Sequence, residues 1–299
     1  MRAILFSLFY GLTWLIAQIP LRAVARISDF TYLVIYHLIG YRRSVVRNNL
    51  KNSFPEKTDE ERKTIEKKFY RHLSDLIFES VFLLHASRKR ALNLCKFNNL
   101  ELFERFYKEG KSAILVSGHY GSWELYSLIG HHAKHHAVGI YKPLANARFE
   151  KLMNNSRKRF GGVPVAMKDT LRVLIDYKRK GEPILLGLVS DQTPAKGDIR
   201  YWTTFLNQQT PVFLGVEKLS QKFNLPVVFC NMRKVKRGKY EVDFELLTEE
   251  PNSFKPYELT ELHLKRLERQ IIEAPEYWLW SHRRWKRKPK PNLQQTESE

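Results

Sequence analysis

Residues 113–128 read AILVSGHYGSWELYSL. The apolar run Ala113 to Val116 predicts a buried strand, Gly118 and Gly121 predict a tight turn, and the apolar spacing from Trp123 onward predicts a helix. His119 therefore sits where a strand becomes a helix. Such a junction suits chemistry: the strand fixes the loop, glycines let a substrate approach the backbone, and a helix N-terminus favours developing negative charge. A neutral imidazole, with an ordinary pKa of about 6.5, can take a hydroxyl proton near neutral pH. Glu124, five residues on, can fold back to hold the imidazole in one tautomer. The competing reading is a surface loop that carries both residues by chance.

Further strands are predicted near 137, 184, 227 and 241, with helical stretches between them. The fold class is α/β, a mixed sheet flanked by helices. Thr58 and Glu61 have capping-box spacing ahead of a long helix to about His85, and Leu100 to Tyr107 makes a short one that Gly110 stops. Asp169 to Lys180 predicts a helix. Ile184 to Ser190 is the clearest central strand, and it delivers Asp191 and Gln192 at its C-terminal end, where open α/β sheets place their sites. Phe205 to Lys222 runs from a turn-like FLNQQTP into a predicted apolar helix, with Thr210 as cap and Pro211 at its first position. Pro226 to Met232 and Tyr240 to Leu247 predict a hairpin around Gly238, and Glu258 to Ile272 an amphipathic helix.

With 51 Lys and Arg against 31 Asp and Glu, the 299-residue chain carries +20. That charge predicts attraction to a polyanion: nucleic acid, acidic lipid headgroups, a phosphorylated substrate or an acidic carrier protein. Its two cysteines, Cys95 and Cys230, have no metal or disulfide spacing, which fits a reducing compartment. In HHAKHH, 131–136, the i,i+4 histidine pairs would share a face only on a helix, and no acidic or cysteine partner is near. No metal is expected.

No charge occurs from Ala3 to Leu21, a run just long enough to span a bilayer, where about 17 to 25 residues are needed. A removable signal peptide competes, but Pro20 and Arg22 interrupt the approach to Ala23-Val24-Ala25, so a retained membrane anchor is expected. Phe30 to Gly40 suits the interface. Arg22, Arg26, Arg42, Arg43 and Arg47 then place the remainder in the cytoplasm by the positive-inside bias. The expected division is 1–40 anchor and interfacial segment, 41–285 catalytic domain with 41–95 mainly helical, and 286–299 polar disordered tail.

Five blocks in order carry a family resemblance: YRRSVVRNNLKNSFPE (41–56), GHYGSWE (118–124), Asn155 and Arg159 before Phe160-Gly161, VSDQTPAKGDIRYW (189–202) and APEYWLWSHRRWK (274–286). They resemble the late acyltransferases of lipid A biosynthesis, within the glycerolipid acyltransferases. The resemblance implies a glycerolipid acyltransferase-like fold and direct transfer of an acyl group, from a thioester of acyl carrier protein or coenzyme A, to a lipid hydroxyl. The expected acceptor is a lipid A precursor. His119 would be the base and Glu124 its orienting acid. Arg159, helped by N–H groups of the turn, would hold an oxyanion or a sugar phosphate; Asn155, Asp191 and Gln192 would complete the substrate site. Phe205 to Lys222 would line the acyl pocket. The thioester is a co-substrate, and no cofactor is implied. The acyl carrier protein and an anionic membrane surface are the implied partners, at the bacterial inner membrane. Two alternatives stay open: another acceptor, such as an aminolipid, lysophospholipid or glycosylated phosphoinositide, or a membrane-tethered nucleic-acid binder, suggested by the charge and the aromatic, basic C-terminal block.

Overall fold

The structure, a computed structural model, describes residues 2–289. In chain order the elements are α1 (Arg2–Gln18), α2 (Leu21–Leu33), α3 (Arg43–Ser53), α4 (Asp59–His85), α5 (Arg88–Leu92), β1 (Cys95–Phe97), α6 (Glu101–Lys108), β2 (Ala113–Ser117), β3 (His136–Tyr141), α7 (Ala147–Arg159), β4 (Gly162–Ala166), α8 (Thr170–Lys180), β5 (Ile184–Val189), β6 (Trp202–Phe205), β7 (Gln208–Pro211), α9 (Gly215–Phe223), β8 (Val227–Lys236), β9 (Lys239–Thr248) and α10 (Glu258–Glu273).

Seven strands form one mixed sheet in the order β1-β9-β8-β2-β5-β3-β4. Only β8 and β9 pair antiparallel; β2, β5, β3 and β4 run parallel side by side. Alternation along the strands divides the core between two faces. Ile114, Val116, Ile184 and Leu186 pack with Leu174, Val216 and Leu264 of α8 to α10, while Ala113, Leu115 and Leu185 pack with Phe103, Leu125 and Leu128. β2, fourth of seven, is buried along its whole length, which is why its sequence is an unbroken apolar run rather than an alternating one.

Several expectations are borne out locally. α4 begins with the capping box of Thr58 and Glu61, and Gly181 closes α8 in a left-handed conformation. Others are corrected. Thr210 and Pro211 do not start a helix. Leu206 and Asn207 have φ of 49° and 59°, the turn that joins two antiparallel strands with the right twist, so 202–211 is the β6–β7 hairpin and α9 starts only at Gly215. HHAKHH is not helical either: a 3₁₀ helix (Trp123–His131) ends at its first residue and β3 takes its last. The helix expected after Gly121 is that same tighter 3₁₀ helix.

The N-terminal run is broken at Pro20 into α1 and α2. At 17 residues α1 is about 25 Å long, and no helix of the described residues is long and apolar enough to cross a membrane. α1 lies along α4 instead: Thr13 Oγ1 is 2.9 Å from His85 Nε2, Arg90 donates to the Ala17 carbonyl at 2.8 Å, and Phe9 meets Phe149 edge-on. Its outer face is apolar, with Leu5, Leu8, Leu12 and Leu15 exposed.

A buried charge network ties α2 to the body. Asp75 on α4 accepts from Ser28 at 2.8 Å, from Lys234 at 3.0 Å and from Arg237 at 2.8 Å, and Arg237 also reaches Asp29. Residues 290–299, most of the tail expected at 286–299, lie outside the described residues.

Candidate active site

Ser117 and Val189 are register partners at the C-terminal ends of β2 and β5. Two residues beyond each strand end stand His119 and Asp191. Parallel neighbours leave the sheet side by side, so the two loops start together and their side chains meet. His119 Nδ1 lies 2.6 Å from Asp191 Oδ1, while Asp191 Oδ2 accepts the His119 backbone N–H at 2.8 Å and the Trp278 indole N–H at 2.8 Å. A carboxylate with three donors is an acceptor only, so Nδ1 carries the proton and Nε2 keeps a lone pair. Gln192 Nε2 stands 3.1 Å from that nitrogen; with Nε2 as acceptor, the amide must present its NH₂ group.

The electrostatics favour an imidazole that takes up a proton readily. Burial alone would lower the His119 pKa, but the charge and hydrogen bond of Asp191, with the charge of Glu124, raise it above 6.5. Burial likewise opposes ionisation of Asp191, and the His119 contacts and the Trp278 indole outweigh it, holding its pKa below the ordinary carboxylate value. Trp123 sits edge-on to the imidazole at 5.1 Å.

The carboxylate in contact with the His119 ring is thus Asp191, whereas the five-residue spacing led to the expectation of Glu124. Glu124 instead receives two hydrogen bonds from Arg157, at 2.8 and 3.1 Å. Reach explains the difference: Ser122 and Trp123 lead Glu124 into the 3₁₀ helix toward α7, whereas Asp191 comes off the adjacent strand. Arg159 does not join the site. Its guanidinium donates to the Ala86 and Leu84 carbonyls at 2.9 and 2.7 Å, satisfying the C-terminal end of α4. Asn155 is exposed on α7, and Arg157, two positions on, is the arginine that reaches the motif.

The glycines answer to packing rather than to a substrate's approach. A Cβ at Gly118 would lie 2.8 Å from Leu267 Cδ1, and Gly121 has a φ of +59° with Met232 Sδ 2.7 Å from its Cβ position. The N–H groups of the turn are also engaged: His119 with Asp191, Tyr120 with the Gly118 carbonyl and Gly121 with Tyr277. These three N–H groups are therefore not free for an oxyanion, contrary to the expectation that the turn helps to hold one.

The C-terminal block forms a strap over this turn. Tyr120 bridges Trp278, Leu279 donates to the His119 carbonyl at 3.1 Å, and Asn49 of α3 holds the carbonyls of Trp280 and His282. Thr193 donates to the Arg284 carbonyl at 2.6 Å. Burial pushes the His282 pKa down to about 4 and the Arg284 pKa down to about 10, in both cases against the pull of Asp191. Sequence alone marked this block as unusual but gave no sign that the Trp278 N–H serves Asp191.

Beside the histidine loop lies a cleft of about 130 Å³ between the sheet and the 3₁₀ helix. Glu124 and Arg157 form the charged part of its wall; Leu115, Ile129, Leu185 and Phe244 are among its apolar residues. None of its lining comes from 205–222, the stretch expected to line an acyl pocket. Among the described residues no group of three or more His, Cys, Asp or Glu side chains is placed to hold a metal ion.

Comparison with known proteins points in one direction. A family model described as bacterial lipid A biosynthesis acyltransferase matches residues 1–287. A lipid A biosynthesis acyltransferase of Haemophilus influenzae is 23% identical over 267 residues, covering 89% of this chain and 82% of that protein. The lipid A biosynthesis lauroyltransferase of Escherichia coli K12 is 23% identical over 283 residues, covering 93% and 90%, and the palmitoleoyltransferase of the same strain is 22% identical over 281 residues, with the same coverage.

Proposed function

This chain belongs to the bacterial lipid A biosynthesis acyltransferase family, and from that premise we propose that it adds a secondary acyl chain to a lipid A precursor, with His119 as general base. The observation that carries the mechanism is the His119–Asp191 pair, which leaves Nε2 as the basic nitrogen. An acceptor hydroxyl takes the place of the Gln192 amide at Nε2. His119 removes its proton as the oxygen attacks the thioester carbonyl, and Asp191 stabilises the imidazolium. The tetrahedral intermediate collapses with loss of the thiolate, which recovers the proton from His119. The new ester and the free thiol account for every atom, and no serine or cysteine nucleophile is needed.

The donor in this reading is an acyl thioester of acyl carrier protein or coenzyme A. The net charge of +20 suits an acidic carrier and a phosphorylated glycolipid alike, and salt should weaken both encounters. The acceptor's acyl chains keep it in a bilayer, since each buried CH₂ contributes about 0.8 kcal/mol. The apolar outer face of α1 supports a protein that lies on the inner membrane.

The test is mass spectrometry of total lipids from a bacterial host that lacks its own late acyltransferase and expresses wild type or His119→Ala. A gain of one acyl chain on lipid A, with wild type only, is expected. A gain on a different lipid would change the acceptor, and an equal gain with His119→Ala would remove the proposed base.

A further inference from the structure

Two glycines in the middle of the sheet have no reason in the fold. Gly139 on β3 and Gly187 on β5 are register partners, in a row that runs Leu115, Gly187, Gly139, Pro164 across β2, β5, β3 and β4. A glycine inside a strand weakens it, and usually marks a bulge, an unusual backbone angle or a close approach of another backbone. Neither residue has a φ in the left-handed region. A Cβ at Gly139 would meet nothing within 4 Å, and one at Gly187 only the Val138 carbonyl oxygen at 3.7 Å and the Gly139 Cα at 4.0 Å. This is the opposite of Gly118 and Gly121, whose absent side chains make room for neighbouring protein.

What these two glycines make room for is empty space. Both line the cleft beside Glu124 and Arg157. Gly139 is exposed although strands flank it on both sides, so the trough opens to the outside in the middle of a sheet. Val138 and Leu186, the preceding residues, are buried side chains of the opposite face. Side chains as large as these at 139 and 187 would fill the trough and improve the strand.

We propose that the Gly139–Gly187 trough is the bore of an acyl-chain pocket and that these two positions set which chains the enzyme accepts. The proposal rests on the acyl-transfer reading above. A saturated chain lies across the two glycines with the 3₁₀ helix as the opposite wall, and its carbonyl end points toward the histidine loop. Bulk at either position shortens the chain that fits.

The experiment compares wild type, Gly139→Val and Gly187→Ala on a ladder of saturated acyl thioesters that lengthen by two carbons per step. A methylene in an apolar pocket is worth about 10- to 200-fold in kcat/KM. For Gly139→Val, the ratio of kcat/KM for the longest chain that wild type accepts to that for shorter chains should fall at least about tenfold. Gly187→Ala should shift it in the same direction by less. Both variants should melt at or above the wild-type temperature, because an added Cβ meets nothing within 4 Å at 139 and only ordinary contacts at 187. An unchanged ladder, or equal loss at every length in a variant that melts normally, would overturn the proposal. If wild type transfers no acyl group, the acyl-transfer reading fails by itself, and dodecanoate tests the trough directly. A rise in melting temperature with dodecanoate that Gly139→Val abolishes supports it; no rise, or an equal rise in both proteins, overturns it.

Discussion

Asp191 accepts the His119 imidazole N–H at 2.6 Å although 72 residues separate the two in sequence. The contact depends on two parallel strands that end in register, Ser117 beside Val189, and the geometry of the pair is therefore a property of the sheet. Asp191→Asn removes the charge that stabilises the imidazolium and lets the amide NH₂ face Nδ1, which moves the ring proton to Nε2. A loss on the order of 10³- to 10⁴-fold in kcat is expected. Without the carboxylate, burial dominates and the His119 pKa falls, so the acid limb of kcat/KM should move to lower pH than in wild type. A pH–rate profile checks both.

Arg157 and Arg159 sit two residues apart and should behave as opposites. Arg157→Met strips Glu124 of its two charge-assisted hydrogen bonds beside the cleft, and kcat/KM should fall about 10- to 100-fold, out of proportion to any fall in melting temperature. Arg159→Met frees two carbonyls at the end of α4. Arg159 is an exposed residue, so about 1 kcal/mol and a drop of about 2–4 °C are expected, with kcat unchanged. Melting curves and steady-state kinetics on the two variants separate the roles.

Trp278→Phe keeps an aromatic ring in the strap but deletes the N–H that serves Asp191. Loss of one hydrogen bond to a charged group should lower kcat about tenfold. The Asp191 pKa should rise from about 2 by about one to two units, so the carboxylate stays ionised near neutral pH and the loss should not depend on pH there. A variant that loses activity only in proportion to folded fraction would instead assign Trp278 to packing.

The Asp75 network predicts an acid response. Burial opposes ionisation of Asp75, but Lys234, Arg237 and Ser28 hold its pKa below the ordinary value. A carboxyl depressed in the folded state contributes stability above its unfolded pKa, and that contribution is lost as pH falls through the folded pKa. Lys234→Met removes one of its two cations, so a loss of about 3 kcal/mol at neutral pH is expected. Acid unfolding should also begin at a higher pH, and urea titrations across the acid range measure both.

The outer face of α1 supplies a fifth test. Leu8→Asp with Leu12→Asp places two charges among the exposed apolar side chains of the helix. Co-sedimentation with vesicles rich in anionic lipid should fall at least about tenfold, since interfacial binding scales with buried apolar area, while His119-dependent chemistry on a detergent-dispersed acceptor persists. Deleting residues 1–40 is a poorer experiment, because it also removes the Ser28 and Asp29 contacts to the body.

What the sequence made legible was what depends on local pattern. The apolar run before Gly118 is a central strand, the capping box starts α4, and the residues around Gly238 are a hairpin. Position in space is another matter. Spacing suggested Glu124 as the partner of His119 because it is near in sequence, whereas the partner lies on a neighbouring strand that only the register reveals. Arg159 followed a family pattern to a carbonyl cap, while Arg157 had the appearance of one cation among several on a basic helix. The Thr210-Pro211 pair looked like a helix start, and the two left-handed residues before it, Leu206 and Asn207, decided for a hairpin.

The strap that completes the site is synthesised late. Asp191 and Trp278 are 87 residues apart, an interval of roughly 4 to 17 s at ordinary elongation rates of about 5–20 residues per second. Throughout that interval the nascent chain has its sheet strands up to β5 but lacks the segment that pins the histidine loop. An incomplete chain lacks the indole N–H that Asp191 accepts, so the order of translation places the last hydrogen bond of the histidine loop after the strands that carry it.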